Sequence, residues 1–503
     1  MTSQTKTSFS HNIIGLFLGP FVAISTFWFY YQGWYGQDEA MLLSTQGATV
    51  ISIMLLMAIW WLTEAVSISV TSLLPLVLLP FLNVSSIQDA ASPYASPAIY
   101  LFLGGFIVAK TFEKWDLHKR LAYWLITTIG FSPTKLLASF MLVPLILSMW
   151  MNNSSTTLLI LPMVIVVIQT VEQQNKELQL NIPETFITRF KTFVCLTVCY
   201  SASIGGVGTP IGTAPNIILQ GFLLENYGIE IDMILWLSFS LPLLLLICPL
   251  LFIYMGYVRG QFHKIVLPQD QIIKRIQKSK QDLGPWSKEQ RFVLIIFLIT
   301  ALSWIFKAQI RDFLGIPYIN DASIAMTAAI LLFTVPMNLS KQPFLITWDE
   351  AKTLPWGVLM IIGGGMSLSA AIQSQGVSQF IGYQLLFVDG LSYTGILIVL
   401  LPLIAFSSEI TSNAALTSAM LPIVAQLAEI LHLDPVGLML PCATAASFAF
   451  MLPSATPPNA IIYGTGYFSL ARMAKIGFFA NLLASICLIV WSSIWFHTIY
   501  IHF

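Results

Sequence analysis

Ser148-Met-Trp-Met-Asn-Asn-Ser-Ser-Thr-Thr157 places a run of small amides and hydroxyls between two strongly apolar segments, residues 142–147 and 158–168. The pattern recurs. Adding 260 to each number lands on Ser408-Glu-Ile-Thr-Ser-Asn-Ala-Ala-Leu-Thr417, so that Ser148 aligns with Ser408, Asn153 with Asn413, Thr157 with Thr417 and Pro162 with Pro422. A polar cluster repeated at one offset inside apolar sequence points to a binding site built from two halves.

The chain around it has 503 residues, 56% hydrophobic and only 9% charged, with 34 Phe and 14 Trp. Soluble domains carry roughly 25% charged residues, so this composition reads as an all-α polytopic membrane protein. Apolar runs of the roughly 20 residues needed to cross a hydrocarbon core recur from Ile13 to the C-terminus. The first, residues 13–31, lacks a small-residue cleavage site and reads as a retained transmembrane helix. A net formal charge of zero, from 23 basic and 23 acidic residues, argues against a polyanion-binding surface and gives no sign of a nucleic-acid partner. Cys195, Cys199, Cys248, Cys442 and Cys487 show no CxxC or Cys/His metal spacing and read as packing residues.

Working outward from the first cluster, residues 97–112 form a span containing Gly104-Gly105, a small-residue surface for close helix packing. It runs into Glu113-Lys-Trp-Asp-Leu-His-Lys-Arg120, whose basic residues place this loop in the cytoplasm. At the same offset Gly104-Gly105 coincides with Gly364-Gly365, but the basic loop is replaced by the uncharged Gln373-Ser-Gln-Gly-Val-Ser-Gln379. Two repeats inserted in opposite orientations should differ in this way. Between residues 142 and 171 a straight helix would expose the central amides to lipid; a re-entrant hairpin with its tip buried in protein avoids this. Downstream, the span at 192–226 is interrupted by Gly205-Gly-Val-Gly-Thr-Pro-Ile-Gly-Thr-Ala-Pro-Asn216, four Gly and two Pro in twelve residues. Such a segment cannot continue a helix. Its counterpart is Ser447-Phe-Ala-Phe-Met-Leu-Pro-Ser-Ala-Thr-Pro-Pro-Asn459, again ending in Pro-Asn. Each repeat therefore holds one polar hairpin and one broken helix.

The remaining segments set the topology. Lys6 before the first span and Asp38-Glu39 after it put the N-terminus in the cytoplasm. The block 48–83 reads as two spans divided near Trp60-Trp-Leu-Thr-Glu64, with Glu64 read as a helix-end residue beside an aromatic belt in preference to a buried functional carboxylate. A polar stretch fills 172–191, and further spans fall at 231–256, 292–308 and 321–337. The loop 259–291 carries eight basic residues against three acidic ones, a net of +5, and reads as a topology-setting cytoplasmic loop. A span at 355–372 with Gly363-Gly-Gly365, a hairpin at 394–431, a broken helix at 436–468 and a last crossing at 475–499 complete the chain. The expected architecture is eleven transmembrane helices plus two re-entrant hairpins in two inverted repeats, with the C-terminus outside. The corresponding divisions are N-terminal scaffold helices (1–96), a first inverted repeat (97–230), connecting scaffold helices with the loop 259–291 (231–354), a second inverted repeat (355–470) and a final transmembrane helix (471–503).

Hairpin tips and helix breaks at mid-membrane present backbone N–H groups that suit a carboxylate, and free carbonyls that suit Na⁺. The side chains there are neutral: Asn152, Asn153, Ser154, Ser155, Thr156, Ser412, Asn413, Thr213 and Thr456. Taken singly, such residues merely glue helices together; taken as two repeated clusters, each followed by a Gly/Pro break, they form a site. Without Arg or Lys, that site must offset the charge of an anion with a bound cation. Catalysis finds no support, since there is no HExxH, no paired aspartate within a span, and no strand or Lys-Ser/Thr beside the glycine runs.

At these residues the chain resembles the divalent-anion:sodium symporter family, from about residue 15 to the end. The matching phrases are Trp60-Trp-Leu-Thr-Glu-Ala65, Phe102-Leu-Gly-Gly-Phe106 with Leu117-His-Lys-Arg120, both tip motifs, Ser203-Ile-Gly-Gly-Val-Gly208, Phe448-Ala-Phe-Met-Leu-Pro453 and Ala455-Thr-Pro-Pro-Asn459. The resemblance implies a homodimeric elevator-type transporter of the lipid bilayer, with a scaffold part and a mobile part, and no cofactor other than Na⁺ as coupling ion. It implies substrate contacts from Asn153, Ser154, Thr213, Ser412, Asn413, Thr456 and Pro457. A first sodium site would involve Ser148, Asn152, Asn153 and a carbonyl at Gly205 or Gly206, and a second would involve Ser408, Thr411, Asn413 and Ala455. Two departures stand out: the first tip reads Asn152-Asn153-Ser154, with an amide where the family has Ser, and the second reads Ser412-Asn413-Ala414, without the last hydroxyl. Three functions follow as expectations: Na⁺-driven symport of small dicarboxylates of the succinate, malate, fumarate or 2-oxoglutarate type, Na⁺-independent exchange of the same acids, or a non-transporting scaffold or receptor. Citrate and sulfate also fit the tips.

Overall fold

The apolar runs fold as helices, as backbone without water to bond to must. A computed structural model describes residues 4–32, 43–177, 183–259, 269–338, 342–377, 380–381 and 392–500. Asp38-Glu39, residues 260–268 of the basic loop and residues 378–379 of the neutral one lie outside the described residues. Among those described, eight helices are long and apolar enough to cross a membrane. They lie within Ile14–Tyr31, Thr45–Thr63, Ile87–Lys114, Asn153–Gln173, Met233–Gly256, Trp356–Ser374, Asn413–Ile430 and Leu470–Thr498. A ninth arises when Lys288–Ile305 and Lys307–Leu314, bent by 85°, count as one span. Phe17, Phe21, Leu245, Ile299 and Leu403 stand exposed, which suits a surface solvated by lipid.

Several expected elements are redrawn. The block 48–83 yields one long helix, Thr45–Thr63, and then two short ones, Ile68–Thr71 and Leu74–Phe81. The break falls at Glu64, which caps the first helix in the left-handed conformation, φ 49°. The expected span 321–337 stops at Thr334, because Val335 precedes Pro336 and is held extended; Pro336–Asn338 then pairs antiparallel with Gln342–Phe344. The polar stretch 172–191 is mostly helical, since Asn153–Glu177 runs past its apolar part and Glu184–Gly206 begins early. The basic loop contains a helix, Gln269–Gln281, that buries Ile272 and Ile276 on one face.

Four helical units surround the centre. The first hairpin pairs Pro133–Ser148 with Asn153–Glu177, and the first broken helix is Glu184–Gly206 followed by Ala214–Tyr227. The second tip joins Tyr393–Ser407 to Asn413–Ile430, and the second broken helix is Pro435–Ala445 followed by Pro457–Tyr463. The halves interleave. Pro457–Tyr463 packs on Asn153–Glu177 and Glu184–Gly206, while Ala214–Tyr227 packs on Asn413–Ile430 and Pro435–Ala445. Fully buried Tyr200, Phe448 and Phe450 lie in this region, with the Tyr200 and Phe450 rings 4.9 Å apart.

Gly104 sits where Pro97–Lys114 meets Asp321–Thr334, and a Cβ there would lie 2.6 Å from the Ala325 carbonyl carbon. At Gly105 the nearest atom, on Ile211, is an ordinary 3.6 Å away. Gly104→Ala should therefore lower the thermal unfolding temperature of the detergent-purified protein, at a cost of about 1–3 kcal/mol. Gly105→Ala, buried in the same helix but with room for the methyl, should leave that temperature unchanged or raise it, by up to about 1 kcal/mol of helix propensity; equal losses at both positions would contradict this packing.

Candidate binding site

A break in a buried helix strands carbonyls that must find donors. Here one asparagine serves each break. Asn216 donates its Nδ2 to Gly206 O at 2.9 Å and to Thr209 O at 2.8 Å. Asn459 donates its Nδ2 to Ala449 O at 2.9 Å and to Leu452 O at 3.0 Å. Both reach back ten and seven residues, so each asparagine and the carbonyls it holds correspond at an offset of 459 − 216 = 243. Thr213 and Thr456 then fall into register as the N-caps of the following helices, both in extended conformation.

The first tip is shaped by its break. Ser148 donates to Asn153 Oδ1, Asn152 Oδ1 accepts the Ser154 N–H at 2.8 Å, and Thr209 donates to Met149 O. Gly206 has no room for a side chain, because a Cβ would come 2.7 Å from Asn153 Oδ1 and 3.2 Å from Thr213 Cβ. In the second tip Ser408 donates to Ala405 O at 2.8 Å and Phe448 O at 3.3 Å, and Thr411 donates back to Ser407 O at 3.2 Å. Asn413 Oδ1 is buried with no hydrogen-bond partner among the described residues. A carbonyl oxygen left in this state is a ready acceptor for a cation.

Between the tips lies a cavity of about 560 Å³. All seven residues expected to touch substrate line it: Asn153, Ser154, Thr213, Ser412, Asn413, Thr456 and Pro457. Of the expected sodium ligands, Asn152, Asn153, Asn413 and Ala455 line it too, while Ser148 and Ser408 are buried behind the tips. Gly205 and Gly206 press on the first hairpin. Asn152 already uses its side-chain oxygen as a helix cap, and the Thr411 hydroxyl turns to its own arm, so these two face the cation role least directly.

Electrostatics follow from the backbone. Asn153, Ala214 and Asn413 are the first residues of helices of 25, 14 and 18 residues, and all three line the cavity. Three positive helix ends thus meet in one space. Pro457 and Pro458 open a fourth, shorter helix but carry no N–H, so they supply shape more than donors. Neither Lys nor Arg appears among the described lining residues, and the one charged side chain is Glu64. Glu64 stands at a helix end, as the sequence indicated, and it also lines this cavity. Asn152 and Ser154 also line a second cavity of about 270 Å³ that holds Lys110, Glu113 and Thr353. The first tip therefore stands between two spaces.

Comparison with known proteins gives a consistent picture. The family described as the sodium:sulfate symporter transmembrane region matches residues 39–502. A protein of Staphylococcus saprophyticus called sodium-dependent dicarboxylate transporter SdcS is 36% identical over 493 residues, 97% of this chain and 92% of its own. The protein of the same name from Staphylococcus aureus strain USA300 is 37% identical over 495 residues, with the same coverage. Among solved structures, that of Neisseria gonorrhoeae MtrF, described as illuminating a class of antimetabolite efflux pumps, matches with a TM-score of 0.54 at 14% identity. It covers 93% of this chain and 98% of its own, and it bears on the fold alone.

Asn216→Ala and Asn459→Ala each remove a side-chain donor from two carbonyls of a break; Thr209 O keeps the Gly212 N–H at 3.3 Å and Leu452 O the Ala455 N–H at 3.2 Å, whereas Gly206 O and Ala449 O lose the amide that holds them. Each substitution should cost about 1–3 kcal/mol, seen as a lower unfolding temperature in detergent, and the two losses should be similar. A neutral result at either position would remove that asparagine from the support of its break.

Proposed function

Because the chain belongs to the sodium:sulfate symporter family, whose members are membrane transporters and not enzymes, we propose that it moves small dicarboxylates by Na⁺-coupled symport. The substrates are acids of the succinate, malate, fumarate or 2-oxoglutarate type. The observation that carries this reading is the cavity in which three helix N-termini and neutral amides and hydroxyls from both tips converge without a lysine or arginine. Donors of this kind hold carboxylates, while the unmet charge of a dianion calls for a companion cation. The names of the Staphylococcus relatives support both substrate class and ion.

In this reading one carboxylate is taken by Asn153 and Ser154 and the other by Ser412 and Asn413, with Thr213, Thr456 and Pro457 closing the space. Na⁺ travels with the substrate, one ion at Ser148, Asn152, Asn153 and a Gly205 or Gly206 carbonyl, another at Ser408, Thr411, Asn413 and Ala455. The interleaved hairpins and broken helices move together as one body against the scaffold helices, an elevator step, in a homodimer. Their packing onto each other across the two halves supports such a unit. Eleven spans, two re-entrant hairpins in inverted repeats, a cytoplasmic N-terminus and an external C-terminus complete the proposal. The second cavity, beside Lys110 near the basic loop, is the cytoplasmic approach to the first tip.

Uptake of radiolabelled succinate into proteoliposomes tests the proposal. Uptake driven by an inward Na⁺ gradient is the expected result; uptake that needs internal dicarboxylate and ignores Na⁺ would establish exchange, and none under any gradient would remove transport of this acid. Asn153→Ala and Asn413→Ala should each reduce uptake at least about tenfold, the loss of about 1.4 kcal/mol of binding, without loss of folded protein. Normal uptake in both would overturn the site. Ala414→Ser restores a hydroxyl to the second tip, and one added hydrogen bond of about 1 kcal/mol should lower the succinate KM about fivefold.

A further inference from the structure

Glu409 follows Ser408 in the second tip and is 3% exposed. Its carboxylate reaches across to the second break. Oε1 accepts the Phe450 N–H at 2.6 Å and the Met451 N–H at 2.9 Å, and Oε2 accepts the Met451 and Leu452 N–H groups at 3.0 Å each. A third segment joins them: fully buried Asn481, on Leu470–Thr498, donates its Nδ2 to Oε1 at 2.6 Å. All these partners are neutral, and among the described residues Glu409 makes no ion pair.

The first half has no such device. Subtracting 260 from 409 gives Met149, and the first break closes on itself. Its Val207 and Gly208 N–H groups donate to Ile204 O at 3.1 Å and Gly205 O at 2.8 Å. Trp236 and Ser240 then donate to Val207 O and Gly208 O at 2.9 Å each. In the second break the corresponding N–H groups point at the carboxylate instead.

What the carboxylate holds adjoins the second sodium site proposed above. Ser408 precedes it in the chain and donates to Phe448 O. Leu452, whose N–H it binds, accepts the Ala455 N–H at 3.2 Å, and Ala455 lines the cavity with Asn413. A buried anion is unfavourable unless donors and a nearby positive charge answer it. Four donor groups supply the first requirement, and a sodium ion beside Ser408, Asn413 and Ala455 would supply the second.

We propose that Glu409 is the positioning residue of the second sodium site: it fixes the backbone of residues 450–452 against the tip, and its charge favours occupancy of that site by Na⁺. The inference rests on the sodium-coupled reading and names the residue that tunes it. Glu409→Gln keeps the size but turns one acceptor oxygen into an NH₂ facing N–H donors. In proteoliposomes, its half-saturating Na⁺ concentration for succinate uptake should rise about tenfold, equivalent to about 1.4 kcal/mol. The succinate KM at saturating Na⁺ should stay within about twofold, as expected when a group acts on one ligand only. Glu409→Asp keeps the charge and should shift the Na⁺ dependence less. A purely structural role would lower the amount of folded protein or the maximal rate and leave the Na⁺ half-saturation unchanged. Should Glu409→Gln not fold, Asn481→Ala loosens the carboxylate without removing it and should shift the Na⁺ dependence in the same direction by about threefold, equivalent to about 0.7 kcal/mol, less than Glu409→Gln because the charge stays. Sodium-dependent uptake with unchanged half-saturation in the recovered variant overturns this proposal alone. Sodium-independent uptake by the unmodified chain overturns the sodium reading, and this proposal with it.

Discussion

Interrupting a helix inside a membrane protein is unfavourable unless every freed backbone group finds a partner, and the centre of this molecule is organised by that demand. Asn216 and Asn459 each bridge two carbonyls across a break, and the breaks exist so that the following helices can begin at the cavity. With the carbonyls held, Thr213 and Thr456 take up their cap positions, and Gly206 can approach Asn153 closely. The polar tips are placed by the same contacts. The site is thus a consequence of how the backbone is satisfied, and its side chains are neutral because they first serve that purpose.

The two halves solve one problem with different chemistry. In the first, glycines let the chain turn on itself and tryptophan and serine from Met233–Ile253 cover the carbonyls. In the second, a carboxylate from the tip gathers three N–H groups and an amide from the last helix. A turn satisfied by its own backbone keeps its shape whatever lies nearby, whereas one built on an anion is sensitive to local charge. Equivalent positions in the two halves therefore need not bind cations equally well.

Much of this centre could be read before any coordinates. The repeat of Ser148, Asn153 and Thr157 at Ser408, Asn413 and Thr417 located both tips, and a Gly/Pro-rich stretch in one half and a Pro-rich one in the other, both ending in Pro-Asn, located both breaks. These features are local, since amides in an apolar run and prolines in a helix carry their meaning in the neighbouring residues. The change of offset from 260 at the tips to 243 at the breaks was less evident, because it reflects differing lengths of helix between them. The short helices after Glu64 and the early stop at Thr334 depended on single backbone conformations that hydropathy does not register. Glu409 was hidden for another reason: its partners lie 41 to 43 and 72 residues away, and only the fold brings them together.

The absence of lysine and arginine among the described residues of the cavity has a physical logic under the sodium-coupled reading. A fixed cation would bind a dianion well, but it would remain when the substrate left, and the empty site would then carry an unmatched charge through a low-dielectric region. A cation that arrives and departs with the substrate leaves no fixed positive charge behind. The helix ends contribute partial charges that need no counterion of their own, so they assist binding without creating that penalty. Glu64 fits the same scheme from the cavity wall, since a carboxylate facing the space disfavours an anion unaccompanied by sodium and tolerates one whose charge is already offset. Coupling would then arise from electrostatics: a bound cation makes the site acceptable to the anion, and the anion in turn strengthens the hold on the cation.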